Sequence, residues 1–143
     1  MKCSSIEKPK VVTSVIAGLA VVCTLSACGM SGPAHKAPAP NAKAVVDMGV
    51  MSYNPAKVTI HLGDTVEWRN TSVVTHTVTD NPSRAKNKKD ASFPTGALIF
   101  DSGDIPAGQV YTHTFAIPGT YRYFCTHHEK HGMVGTVVVQ PTL

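Results

Sequence analysis

The sequence predicts an all-β domain: a two-sheet Greek-key β-sandwich of seven or eight short strands, with one long loop between strands. Three observations carry that expectation. Apolar residues recur at alternate positions in short runs, Gly, Pro and Asn separate the runs, and no long segment has a 3.6-residue period. The 143 residues allow one such domain and little more. Residues AVILMFWYC make up 43%, enough for a packed core, and DEKR at 15% argues against wholesale disorder. Lys2, Lys8 and Lys10 against Glu7 account for half of the formal +4 charge. What remains is too little for the basic stripe of a nucleic-acid binder, so nucleic acid is not expected as a partner.

The first segment reads as an address. Lys2, Lys8 and Lys10 form a positive start, and Val11 to Val22 is apolar apart from Thr13 and Ser14. Leu25-Ser26-Ala27-Cys28 then resembles a bacterial lipobox: small residues fit a peptidase cleft, and the thiol of Cys28 takes a diacylglycerol. Residues 1–27 are therefore expected to be a lipoprotein signal peptide and Cys28 the lipidation site. The alternative is an uncleaved anchor, which the Thr and Ser content weakens. Both place the domain outside the cytoplasm, in a bacterial cell envelope and held at a membrane. Residues 28–43, rich in Ala and Pro, read as a tether reaching about 45 Å at most at ~3.1 Å per residue. Processing leaves Cys125 as the one free thiol of residues 44–143. An exported domain with a single cysteine has no internal disulfide, and its thiol is an oxidation hazard unless buried or bound to metal.

From 44 onward the strands follow in order. Val45, Val50, Val58, Ile60, Val66 and Trp68 fall in short runs broken by Asn54-Pro55, Leu62-Gly63-Asp64 and Asn70-Thr71-Ser72. Lys57 to His61 alternates, and so does Asp64 to Arg69, with Val66 and Trp68 on one face. Strands are expected at Val73–Thr79, Gln109–Phe115, Thr120–Phe124 after the Pro118-Gly119 turn, and Met133–Val139. Asp80 to Gly96 is polar, contains two prolines, and reads as a long surface loop with room for a helical turn. Arg84, Lys86, Lys88 and Lys89 against Asp80 and Asp90 give it a net +2. The simpler reading is a solvated loop; the alternative is a docking surface for an acidic partner. Trp68, Tyr121, Tyr123 and Phe115 are expected in the core and Met48 and Met51 as sandwich filling, while His61, His113 and His131 read as surface residues.

The chemistry concentrates near the C-terminus, in Cys125-Thr126-His127-His128-Glu129-Lys130-His131-Gly132-Met133. A thiolate, an imidazole three residues on and a thioether eight residues on lie in one inter-strand segment, which can turn its ligands onto one point as a strand cannot. His76 is the candidate for a fourth ligand from elsewhere in the chain. Two imidazoles and a thiolate with a weak axial methionine are what a blue-copper electron-transfer site needs. His127 is expected to point away from that site.

These residues resemble a cupredoxin of the plastocyanin/amicyanin/pseudoazurin kind over about residues 44–143. The marks are Cys125-x2-His128-x4-Met133-x-Gly135 before a valine-rich last strand, Thr120 to Phe124 leading into the cysteine, Phe100-Asp101-Ser102-Gly103, Pro118-Gly119-Thr120, and Leu62 to Val66 before Trp68. The resemblance implies one type 1 copper ion cycling between Cu(I) and Cu(II), held by His76, Cys125, His128 and Met133. Relatives commonly carry Asn directly after the first histidine; here it is Thr77, whose hydroxyl is expected to reach the Thr126 region. Phe124 stands where plastocyanin has a tyrosine.

The function this implies is a membrane-tethered one-electron carrier, a monomer, between redox partners such as a cytochrome or a copper oxidoreductase. The alternative is a copper-binding protein for copper storage, delivery or resistance. No enzyme activity is expected: the His-x-His pairs of trinuclear copper sites are missing, and a binuclear site needs a second cysteine.

Overall fold

The computed structural model describes residues 39–142. The expected signal peptide, Cys28 and the tether up to residue 38 lie outside the described residues, and β1 begins at Ala42, two residues inside the expected tether. Seven strands form two mixed sheets. In chain order they are β1 (Ala42–Met48), β2 (Tyr53–Asn54), β3 (Lys57–His61), β4 (Thr65–Asn70), β5 (Val110–Thr114), β6 (Gly119–Phe124) and β7 (Val134–Gln140). One sheet runs β2-β1-β4-β5 and the other β3-β7-β6. The first and last strands of the fold each make a parallel pairing, β1 with β4 and β3 with β7, and the remaining neighbours are antiparallel.

Alternation places the core. Val46 and Met48, Val58 and Ile60, Val66 and Trp68, Tyr121 and Tyr123, and Val137 and Val139 all face inward and are buried. Trp68 stands edge-on to Tyr123, with ring centroids 5.3 Å apart, a favoured aromatic arrangement. The corner Leu62-Gly63-Asp64 sends the chain from one sheet to the other. Gly63 adopts φ +86°, the Asp64 carboxylate accepts from His61 N, and Gly63 N donates to the Phe115 carbonyl.

Several expectations need correction. Val73–Thr79 is no strand. His76 pairs singly with Ile105, and Thr79 with Asp101 and Phe124. His76 through Asp80 are all 0% exposed; a segment covered on both sides has no outward face to alternate with, and its partners change from residue to residue. Met51 is 46% exposed and Val50 is exposed too, both in the turn between β1 and β2, so only Met48 fills the sandwich. His113 is half-buried between the rings of Phe100 and Phe115, at 4.7 Å from each. Glu67, on the face opposite Val66 and Trp68, is 1% exposed because the chain ahead of β1 crosses it: Ala39 N donates to its Oε2 at 2.5 Å.

The long loop is not merely solvated. Ala85 and Ala91 pack on Phe124 and Val134, Ser92 pairs with Arg122 of β6, and a 3₁₀ turn forms at Lys88–Asp90. Arg84 pairs with Asp101, while Lys86, Lys88 and Lys89 remain exposed.

At the start of this loop Asp80 is wholly buried. Its Oδ1 accepts from Phe100 N at 2.9 Å, and Oδ2 has no partner. Burial pushes its pKa up to about 6. Between the ordinary carboxylate range and pH 6 the folded chain holds a proton that the unfolded chain has lost. Asp80 therefore favours the fold in acid, and that contribution fades as pH rises through 6. Asp80→Asn is expected to gain about 2–3 kcal/mol on the wild type between pH 4 and pH 8. Urea midpoints of both proteins in the same copper state check this; a gap that does not change with pH contradicts it.

Candidate metal centre

The site lies where β6 ends. Cys125 follows Phe124 directly, and its backbone N–H donates to the Met133 carbonyl at 3.0 Å, closing the base of the loop that carries the other C-terminal candidates. Inside that loop His128 N bonds to the Cys125 carbonyl, and a 3₁₀ turn at Glu129–His131 ends on Gly132 at φ +77°. This turn brings residue 128 back over the cysteine. His76 arrives from the buried segment, held by two backbone bonds to Ile105.

Cys125 Sγ lies 3.7 Å from His76 Nδ1 and 3.5 Å from His128 Nδ1, and the three atoms fall within 4.8 Å of one another. These distances test the fit of a single ion. First-row metal bonds of about 2.0 Å to nitrogen and 2.3 Å to thiolate put N and S about 3.5 Å apart at tetrahedral angles and about 3.7 Å apart at trigonal ones. Both sulfur–nitrogen pairs therefore already have the spacing of a coordination shell. Cys125, His76 and Met133 are fully buried, and His128 is partly exposed.

Electrostatics keep both imidazoles in the ligand form. Burial, together with the neighbouring His128 ring, pushes His76 down to about 4; burial and the His127 and His131 rings lower His128. Tautomer selection at His76 is also built in. Ser72 Oγ is 2.9 Å from His76 Nε2 and 2.8 Å from Asn70 Oδ1. A proton on Nε2 donates to Ser72, whose hydroxyl donates on to Asn70, leaving Nδ1 bare toward the sulfur. Asn70 is fixed in turn by donating to the carbonyls of Val74 and Ile105.

Thr77 does more than expected. Its N–H donates to Cys125 Sγ at 3.4 Å, its Oγ1 accepts from Thr126 N at 2.8 Å, and the two threonine hydroxyls are 3.1 Å apart. Its carbonyl accepts from the Tyr53 hydroxyl at 2.6 Å. Thr77 thus ties the cysteine loop to the segment that carries the first histidine. His127 points away from the sulfur and reaches Asp104 at 2.8 Å, and His131 is exposed.

Reading by motif missed Asn70, Ser72 and Tyr53. The Asn70-Thr71-Ser72 turn was visible, but only as a turn.

Comparison with known proteins agrees with this geometry. Residues 40–140 match the family model of copper binding proteins, plastocyanin/azurin family. The chain is 34% identical to a plastocyanin of Nostoc punctiforme over 128 residues, covering 87% of this chain and 91% of that one. It is 36% identical to a chloroplastic plastocyanin of Tetradesmus obliquus over 107 residues, 75% of this chain and 71% of the relative. Among solved structures, a reduced mutant form of amicyanin superposes with a TM-score of 0.56 at 30% identity, over 71% of this chain and 85% of that one.

Proposed function

The chain belongs to the plastocyanin/azurin family of copper-binding proteins, and from that premise we propose that it is a one-electron carrier tethered to a membrane outside the cytoplasm. His76, Cys125 and His128 would hold the ion, with the buried Met133 as the fourth, weaker donor. When bound, copper supplies a one-electron Cu(I)/Cu(II) couple. The single observation that carries the reading is the donor triangle, buried at His76 and Cys125 and open to solvent only at His128, with both sulfur–nitrogen distances already those of a metal shell.

The chain's own residues keep that triangle from rearranging. Ser72 and Asn70 fix the His76 ring, the Thr77 N–H steadies the sulfur, and the Thr77–Thr126 bond holds the loop. A shell that moves little suits a carrier better than a delivery protein, whose ligands must open to release their cargo.

Of the four residues only His128 reaches the surface, which makes its ring the edge nearest a partner. Val50, Met51 and Val73 are exposed on two turns next to the site, joined by the bond from Thr71 N to the Met48 carbonyl. A small apolar contact suits an encounter that forms and parts quickly. The partner is a redox protein, such as a cytochrome or a copper oxidoreductase.

Loading the purified protein with Cu(II) tests the assignment. An intense visible thiolate-to-copper band with fast electron self-exchange is expected; a colourless protein that holds Cu(I) and resists oxidation overturns it in favour of copper storage or delivery. Tethering rests on Leu25 to Cys28. Cys28→Ala is expected to move the protein from the membrane fraction to the soluble one, and an unchanged distribution removes the lipid anchor.

A further inference from the structure

The loop from Cys125 to Met133 is folded on itself by backbone bonds. Besides the cysteine, whose Sγ accepts from Thr77 N, three of its side chains reach outside it: Thr126 to Thr77, His127 to Asp104, and Glu129 to the long loop. Glu129 differs from the other two. It is 7% exposed although exposed Lys130 and His131 follow it, and a carboxylate is seldom buried without partners for its lone pairs. Here each oxygen has one: Lys86 N donates to Oε2 at 3.0 Å, and Asn87 N donates to Oε1 at 2.8 Å. Two successive amides thus grip one anion, an arrangement in which each hydrogen bond is strengthened by charge.

The gripping segment is itself anchored. Asn87 Oδ1 accepts from Lys89 N and caps the 3₁₀ turn Lys88–Asp90. Asp90 faces Arg122 at 3.5 Å, and Ser92 is paired with Arg122 on β6, the strand that runs into Cys125. The long loop is therefore fastened to the strand before the cysteine and, through Glu129, to the residue after His128.

We propose that Glu129 is a positioning residue for the copper site. Its buried carboxylate, gripped by the Lys86 and Asn87 amides, fixes the turn that carries His128 and so holds the imidazole at its distance from Cys125 Sγ. Thr126 secures the loop near the cysteine, and β7 secures it after Met133. Between them a single 3₁₀ turn carries the ligand, and its one buried outward tie among the described residues is Glu129. The inference rests on the copper-carrier reading.

The test uses the copper-loaded full chain with Glu129→Gln, Glu129→Ala and, as a control, Lys130→Ala. Glutamine keeps the size of the side chain but turns an amide toward one of the two N–H donors, so it separates acceptance of the pair from space filling. In the wild type the Lys86 and Asn87 amides are expected to exchange slowly, since both donate to a buried carboxylate. Both Glu129 variants are expected to speed that exchange by roughly tenfold or more, the loss of a charge-assisted hydrogen bond. They are also expected to broaden the copper hyperfine lines and slow electron self-exchange several-fold (about 3 to 10 times); Lys130→Ala changes neither. Faster amide exchange with unchanged hyperfine lines and self-exchange makes Glu129 a purely structural clamp and overturns the proposal, as does fast exchange of those amides in the wild type. A wild type with no thiolate-to-copper band is a different failure: it removes the copper reading, and this proposal with it.

Discussion

Cys125→Ser is expected to abolish the visible thiolate-to-copper band outright, with a larger loss of Cu(II) affinity than the roughly 10–100-fold that outer hydrogen-bond partners of a ligand are worth. The substitution is nearly isosteric and Cys125 is fully buried, so the fold has little reason to change. What changes is the donor. Serine offers a shorter reach and a hard oxygen that stays protonated at neutral pH, in place of a polarisable thiolate 3.5 and 3.7 Å from the two ring nitrogens. The Thr77 N–H that donates to sulfur at 3.4 Å also loses its acceptor at that distance. Met133→Leu supplies the contrast. It removes only the weak axial donor, so the band is expected to persist while the reduction potential rises, because the oxidised ion loses more than the reduced one. Absorption spectra and potentials of the two variants decide the matter. If Cys125→Ser keeps the wild-type spectrum, the sulfur is not the ligand and the assignment of the centre fails.

The contrast also shows what kind of information the sequence held. Cys125, His128 and Met133 were legible because chemically rare ligand types stand close together between two strands, and His76 because the loop demands a further imidazole. The sandwich was legible from alternation: Val58 and Ile60, Val66 and Trp68, and Tyr121 and Tyr123 all obey it. Residues that act through distant partners were not legible. Tyr53 meets Thr77 across 24 positions of chain, and Glu129 meets Lys86 and Asn87 across 43 and 42, and nothing local to each residue announces its partner; the Thr77–Thr126 tie was legible only through the family resemblance. Alternation misled where a second layer covers the outward face. Glu67 is buried beneath the chain at Ala39, and the stretch from His76 to Asp80 is enclosed on both sides. The second of those exceptions carries His76 and Thr77 to the site. A local pattern fixes which way a side chain points, but not what the fold later lays over it.

Gly135→Ala is expected to be the most damaging single methyl in the protein. The Met133-x-Gly135 spacing looks like a loop ending, yet Gly135 lies inside β7, paired in register with Tyr123 of β6. Its backbone makes no demand for a left-handed conformation; the constraint is space. A Cβ there would fall within the Tyr123 ring, overlapping its Cζ, hydroxyl and Cε2. That ring has no room to move aside, because it is fully buried and packed edge-on against Tyr53 and Trp68, with centroids at 4.8 and 5.3 Å. Relief must come from β7 shifting or the ring leaving its rotamer. Overpacking of this kind costs about 1–3 kcal/mol and more where neighbours are locked, so a loss of at least about 3 kcal/mol is expected in urea unfolding. The damage also has a direction. Tyr53 donates to the Thr77 carbonyl, and Met133 is two residues before Gly135, so a displaced Tyr123 pushes on both sides of the copper centre. A band that weakens in step with the loss of stability supports this chain of contacts. Wild-type stability in Gly135→Ala removes the steric argument, and lost stability with an unaltered band confines the effect to the core.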